Sequence, residues 1–292
     1  MLVNSTVLWI RVGCKIVIPI SIMLLLIACN SPSVRNNNAD NLAMSGDLAK
    51  KIIITSHFQI LSYHKITERN KSLTVYIEGD GLAYLDRYRP SLNPTPTDPI
   101  SLKLAVIDSS PNVLYIARPC QYVPREENPN CQTDYWTFKR YAPEVLESIN
   151  EVIEMYIKNN QLRGVRLVEY SGGGTLAAIL AATRNDVIDL RTVAGNLDID
   201  YFAQLHKASP LTGSLNRIDY VNRLKYIPQF HFTGADDDIV PAEVVNSYIT
   251  EVKKVDSSLR CIFTQSFPGV SHTDGWEPVW KQNLRREISC ND

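Results

Sequence analysis

The sequence predicts an α/β fold in which a mostly parallel sheet of about eight strands carries helices on both faces. Two observations lead there. Short apolar, β-branched and aromatic runs alternate with helical stretches from residue 52 onward, the pattern of strands joined by covering helices. A serine, an aspartate and a histidine also fall in that order, each just after an expected strand. In an open α/β sheet those strand ends form one edge, where ligands bind. The 292-residue length and 45% apolar content suit a single such core.

Strands are expected at 52–55, 58–63, 73–78, 113–116, 165–170, 190–194, 229–233 and 261–265. Between the fourth and fifth, P-E-V-L-E-S-I-N-E-V-I-E-M-Y-I sets Val145, Ile149, Val152, Ile153 and Tyr156 at helical spacing, with Pro143 suited to the first turn. A second helix, T-L-A-A-I-L-A-A-T, follows Gly174, and two more begin near Pro241 and Gly275. The connections 79–99 and 196–226 are long for plain loops. Scattered aromatics in the second suggest short helices forming a small lid over 197–226. Trp276 and Trp280, four apart, fit the buried face of the last helix. No internal repeat or second core-sized segment is visible.

At the N-terminus, Arg11 and Lys15 precede an apolar run over 16–28 that contains Pro19. A membrane-spanning helix takes about 20 such residues, so residues 1–28 read as a secretory signal. The run ends in L-I-A-C at Cys29, which resembles the lipobox of bacterial lipoprotein signal peptides. That resemblance implies that Cys29 is lipidated and becomes the first residue of the mature chain, anchored firmly by several acyl chains. Asn30 stands where an aspartate would signal inner-membrane retention, which favours the outer membrane, facing the periplasm. A signal anchor that is never cut is the alternative. Residues 29–49 are polar and lack an apolar period, as in a tether, leaving 50–292 as the folded domain.

Beyond Cys14 and Cys29 four cysteines remain, Cys120, Cys131, Cys261 and Cys290. An exported protein meets an oxidising compartment, so disulfides are expected. Four cysteines allow three connectivities; local closure favours Cys120 with Cys131 and Cys261 with Cys290. Their spacings match no zinc pattern. With 30 basic and 31 acidic residues, no bulk field points to nucleic acid.

Chemistry concentrates at E-Y-S-G-G-G, 169–174, where Ser171 sits at an expected strand-to-helix turn and three glycines remove the side chains that would crowd it. A phosphate-binding glycine loop is the alternative, but no Lys-Ser/Thr pair follows. Downstream, T-G-A-D-D-D-I-V-P holds Asp237 and F-P-G-V-S-H-T-D-G-W holds His272. Asp236 to Asp238 lack the alternating ligands of a calcium loop. His231, in an apolar strand, fits a satisfied core residue.

On these motifs and the strand order, the sequence resembles the α/β-hydrolase superfamily over roughly residues 50 to 290. The phrases G-D-G, R-P-C-Q-Y, Y-S-G-G-G, A-G-N-L-D and G-V-S-H are similar to those of bacterial proteins of this superfamily. The resemblance implies Ser171 as nucleophile, His272 as base and Asp237 as the acid that orients it. It implies oxyanion donors at the backbone of Gly172 and of the loop Gly79, Asp80 and Gly81. It further implies hydrolysis of a small-molecule or lipid-like acyl bond with no metal or organic cofactor. Acyl transfer and a non-catalytic binding role stay open beside it. Two residues depart from the pattern: Glu169 stands where a small residue is usual, and Asp80 would bring a carboxylate beside an oxyanion. Asp80 is expected to turn towards Arg87 or Arg89. Tyr170, Arg118 and Tyr122 are candidates to line the substrate, with a structural role equally open for Arg118 and Tyr122.

Overall fold

The chain enters the fold through a helix, α1 (Pro32–Ser45), inside the stretch 29–49 expected to be a tether. The computed structural model describes residues 31–216, 220–256, 261–287 and 290; the signal segment 1–28 and Cys29 lie outside the described residues. Ser31 caps α1, its Oγ accepting from the Val34 amide at 3.4 Å, and Pro32 occupies the first turn. The buried stripe consists of Arg35, Ala39 and Ala43. Alanines and one arginine stem make a contact face that no apolar period announces, which is why the tether expectation has to be corrected.

The remaining elements follow in order. Strands β1 (Ala49–Ile54), β2 (Gln59–Ile66) and β3 (Leu73–Ile77) come first, and the long loop after β3 folds into a small hairpin, β4 (Tyr84–Asp86) with β5 (Arg89–Pro90). Next come α2 (Ile100–Val106), β6 (Asn112–Ile116), α3 (Pro143–Asn160), β7 (Val165–Tyr170), α4 (Gly173–Thr183) and β8 (Val187–Val193). The lid-like stretch supplies α5 (Ile199–Leu205) and α6 (Val221–Leu224). The chain then completes β9 (Gln229–Gly234), α7 (Ala242–Val255), β10 (Ile262–Phe267) and α8 (Trp276–Asn283). Helix α2 was not expected, because seven residues are too few to display a helical period.

Eight strands form one sheet in the order β1-β2-β6-β3-β7-β8-β9-β10. β2 is antiparallel to β1 and to β6, and the other neighbouring pairs are parallel. Every residue of the central strands β3 and β6 is buried, as a sheet covered on both faces demands. One apolar layer packs α3, α4 and α7 against the sheet through residues such as Ile149, Leu180 and Tyr248. The other packs α1, α2 and α8 through Ala39, Leu104, Trp276 and Trp280. His231 is buried in β9 beside Thr192, its Nδ1 2.9 Å from that hydroxyl.

Cys120 is bonded to Cys131 and Cys261 to Cys290. Such bonds suggest an oxidising, exported compartment. Among the described residues, no helix is long and apolar enough to cross a membrane.

Candidate active site

Strand β7 ends at Tyr170 and α4 begins at Gly173, so the chain must reverse its pleat within two residues. Ser171 takes the strain, with φ +53°, a left-handed conformation that a non-glycine residue adopts only when its surroundings hold it. They do. The Ser171 amide donates to Val193 O at 3.0 Å, and the Ser171 carbonyl accepts from the amides of Asn196 at 2.8 Å and Gly174 at 3.2 Å. The hydroxyl is thereby lifted off the end of the sheet.

The structure brings Asp237 and His272 to this turn. The Asp237 side chain is fully buried after β9. Its Oδ1 accepts from the amides of Ile239 and Val240 at 2.9 and 2.8 Å, and its Oδ2 lies 2.9 Å from His272 Nδ1. His272 Nε2 lies 3.0 Å from Ser171 Oγ. The His272 carbonyl accepts from Tyr170 Oη and from Trp276 Nε1, both at 2.9 Å, which fixes the loop after β10 against the nearby strand and helix. A hydroxyl, an imidazole and a carboxylate in hydrogen-bonded series can move a proton from the oxygen to the ring and hold the charged ring in place.

Gly79, Asp80 and Gly81 lie across the turn. A methyl group on Gly79 would sit 3.0 Å from the Tyr170 ring and 3.3 Å from Ser171 Cβ, so this backbone reaches the serine because it carries no side chain there. Gly81 has φ +64°, and a methyl on it would meet Pro94 O at 2.2 Å. Gln121 clamps the loop from behind, Nε2 donating to Gly79 O and Oε1 accepting from the Arg118 amide, each at 3.0 Å.

Asp80 corrects one expectation. Its carboxylate does not reach Arg87 or Arg89: Arg87 donates to the carbonyls of His206 and Lys207, and Arg89 pairs with Asp86. Instead the carboxylate lies against Gly172, 2.4 Å from where a methyl there would project, and is gripped by Arg118 at 3.1 Å and Arg140 at 2.5 Å. Burial by itself would raise the pKa of the Asp80 carboxyl; Arg140 and Arg118 overcome this and hold it below the ordinary value. Two guanidinium groups on one carboxylate leave a net positive charge beside the serine. Arg140 carries no motif in the sequence and was missed, because its relation to Asp80 exists only in three dimensions. We expect Asp80→Asn to lower stability to urea by about 3 kcal/mol, since it leaves two arginines without their counter-ion. A midpoint equal to that of the parent would remove the ion cluster as a structural element.

Arg118 thus sits at the site with its guanidinium on Asp80, 5.5 Å from the centre of the Tyr141 ring. Tyr122 does not line the site: it is buried in the layer under α1 and α2, with its amide donating to Thr95 Oγ1 at 2.8 Å and φ +66°. Its side chain has the structural role left open above.

Glu169 is fully buried directly under the turn. Methyl groups on Gly173, Gly174 and Gly195 would lie 3.0, 2.5 and 3.2 Å from its carboxylate oxygens. The glycines therefore make room for Glu169 as much as they expose Ser171.

A second buried carboxyl, Glu78 at the end of β3, accepts from the Gly79 amide at 2.9 Å and from Tyr115 Oη at 3.1 Å. Burial pushes its pKa from 4.5 up to about 7, against these hydrogen bonds. Between roughly pH 4.5 and 7 the folded protein keeps a proton that the unfolded chain has released, so this group's contribution to stability falls as pH rises through that window. Denaturant midpoints of Glu78→Gln are expected to lose that part of the pH slope. An identical slope in the variant would assign it elsewhere.

An open sheet with its reactive side chains on strand ends, and a serine on a strained strand-to-helix turn, defines a recognisable class of α/β protein. The chain has the α/β-hydrolase fold. It is similar to an esterase of Pyrococcus furiosus, at 11% identity and a TM-score of 0.57 over 82% of this chain and 92% of that one. It is also similar to Est1E from Butyrivibrio proteoclasticus, at 12% identity and a TM-score of 0.56 over 80% and 95% of the two chains. An alpha-beta serine hydrolase homologue from Coxiella burnetii superposes at 15% identity and a TM-score of 0.54 over 81% and 97%. By sequence, neither a family model nor a curated protein matches the chain.

Proposed function

We propose that this protein is a serine hydrolase that cleaves a carboxylic ester or related acyl bond, anchored to the bacterial cell envelope through a lipidated Cys29. The observation that carries the reading is the hydrogen-bonded series Ser171, His272, Asp237 at the C-terminal ends of the parallel strands. The similar structures named as esterases add support at the level of fold.

In this reading, His272 Nε2 takes the Ser171 proton as Oγ attacks the acyl carbon. Asp237 holds the imidazolium that forms. The new oxyanion would lie near the Gly172 amide at the start of α4 and the backbone of Gly79 to Gly81, where the helix terminus also favours negative charge. Collapse expels the alcohol, which takes the proton from His272, and water then releases the acyl group by the same route. The paired arginines answer the objection to Asp80: they neutralise its charge next to the turn, so the oxyanion does not meet a bare carboxylate.

A fluorophosphonate probe tests the reading. Labelling of the wild-type protein, absent in Ser171→Ala, is the expected result. A well-folded protein that takes no label would favour a binding or assembly role, for which the carboxylate at Gly172 is the supporting feature. Added alcohols that capture the acyl group in preference to water would identify an acyltransferase.

A further inference from the structure

We infer that the edge of the sheet bearing Ser171 faces an anionic phospholipid surface, with the β4–β5 hairpin and the loop after it as the docking element. The inference rests on the reading of Cys29 as the lipid anchor and adds an orientation to it.

Helix α1 runs from that edge to the opposite one. Near its start, Arg35 Nη1 donates to the carbonyls of Asn93 and Thr95, and Asn36 Nδ2 donates to Tyr122 O at 2.9 Å. Those acceptors belong to the site edge: the Leu82 amide, just past β3, donates to Pro94 O, and Tyr122 follows the end of β6. Just past the far end of α1, Gly46 packs on Val106, where a methyl group on the glycine would lie 2.9 Å from the Val106 Cα. Val106 ends α2, the helix that leads to the start of β6. Strand β1 then begins at Ala49, opposite His64, and runs back until Ile54 faces Gln59 at the start of β2. The helix is 14 residues long, about 21 Å at 1.5 Å per residue, so it spans the sheet. Two residue steps separate Cys29 from Ser31, which reach at most about 7 Å. Acyl chains on Cys29 therefore hold the site edge, and not the opposite one, next to the bilayer.

That edge is dressed for such contact. Leu85, Tyr88 and Leu92 are 56, 81 and 91% exposed, large side chains that a water-facing loop has no reason to present together. Arg87 and Arg89 lie between them, and the Arg87 guanidinium stacks 5.6 Å from the Tyr88 ring centre. Asp86 is the acid of the hairpin and is paired with Arg89, so the element carries net positive charge toward anionic head groups. It is also braced: Arg87 donates to His206 O and Lys207 O, and His206 Nε2 donates to Ile239 O at 2.8 Å. Leu205 and Ile239, at 45 and 48% exposure, continue the apolar surface past the loop that holds Asp237. Apolar tips with flanking cations make an interfacial contact. Substrate would then be a lipid-borne ester or acyl group drawn from the bilayer beneath the site.

The test uses the full-length protein reconstituted into vesicles of phosphatidylethanolamine and phosphatidylglycerol. A fluorophore is placed at Leu92→Cys or, on the opposite edge at the start of β8, at Ile188→Cys, and quenched by a nitroxide-bearing lipid. Severalfold stronger quenching at position 92 is expected; equal quenching, or stronger quenching at 188, overturns the orientation. The mass of the N-terminal peptide is read from the same sample. Acylated Cys29 with equal quenching overturns the orientation alone, whereas an unacylated chain overturns the anchor reading and the orientation with it. Tyr88→Ser combined with Leu92→Ser should lower hydrolysis of a vesicle-borne ester about tenfold while sparing a short water-soluble one. An equal effect on both substrates would also count against docking.

Discussion

Replacing Ser171 by alanine is expected to lower turnover of an activated ester by roughly a million-fold, with urea stability near that of the parent. The size follows from the geometry. Ser171 Oγ stands 3.0 Å from His272 Nε2, and in the proposed mechanism the loss of that oxygen would leave no acyl-enzyme, only the background that a bound, polarised carbonyl undergoes. His272→Ala should cost a similar factor, because an unassisted hydroxyl is a weak nucleophile at neutral pH. Asp237→Asn should cost less, about ten-thousand-fold, since the imidazole stays but loses the carboxylate that holds its tautomer. The Ser171→Ala and His272→Ala losses should not add when combined, because each disables the same relay. Burst and steady-state kinetics on one chromogenic ester, with unfolding curves for each variant, decide the matter. Variants that fold and retain more than about a hundredth of the activity would end the proposal that these residues form one machine.

Gly174→Ala carries the second large effect. In a helix interior alanine is better than glycine by about 1 kcal/mol, so on propensity alone this change to α4 would stabilise the protein. The added methyl, however, would lie 2.5 Å from Glu169 Oε1 and 3.2 Å from the Asn196 amide. Glu169 is fully buried, so its carboxylate has no solvent to swing into. We expect a loss of about 2 kcal/mol from this overpacking, and a fall in turnover, because the Asn196 amide is one of the donors that hold the Ser171 carbonyl. Glu169→Ala in the same chain should recover part of both losses. The two sites are in contact and their effects should not sum. Strictly additive losses, or a Gly174→Ala protein as stable and active as its parent, would show that the glycines serve only the turn.

Much of this fold was legible in the sequence. The strands of the sheet fell where short β-branched and aromatic runs predicted them. The central strands β3 and β6 are buried throughout and read as nearly continuous apolar runs, whereas the edge strand β1, exposed at five of its six residues, was marked by its run of isoleucines. Helix α3 showed its periodicity because only one of its faces is buried. Helix α1 did not, since its buried stripe is made of alanine and the stem of Arg35. Helix α2 was too short to show any period. The positions of Ser171, Asp237 and His272 were also readable, because each lies just after a strand and parallel strands deliver their ends to one edge. Arg140 and Gln121 were not, since each acts through a partner distant in the chain.

Glu169 and Asp80 divide the two kinds of information most sharply. The sequence by itself determined that a serine sits among glycines at a strand-to-helix turn, that Glu169 is an odd neighbour for it and that Asp80 brings a charge near it. Only the tertiary structure decided what those two carboxylates do: Gly173, Gly174 and Gly195 leave the volume that Glu169 fills, and Arg118 and Arg140 converge on Asp80. The physical reason is range. Backbone propensity and burial period act over a few neighbouring residues and are written along the chain, whereas steric room and charge compensation act across space, between groups that only folding brings together.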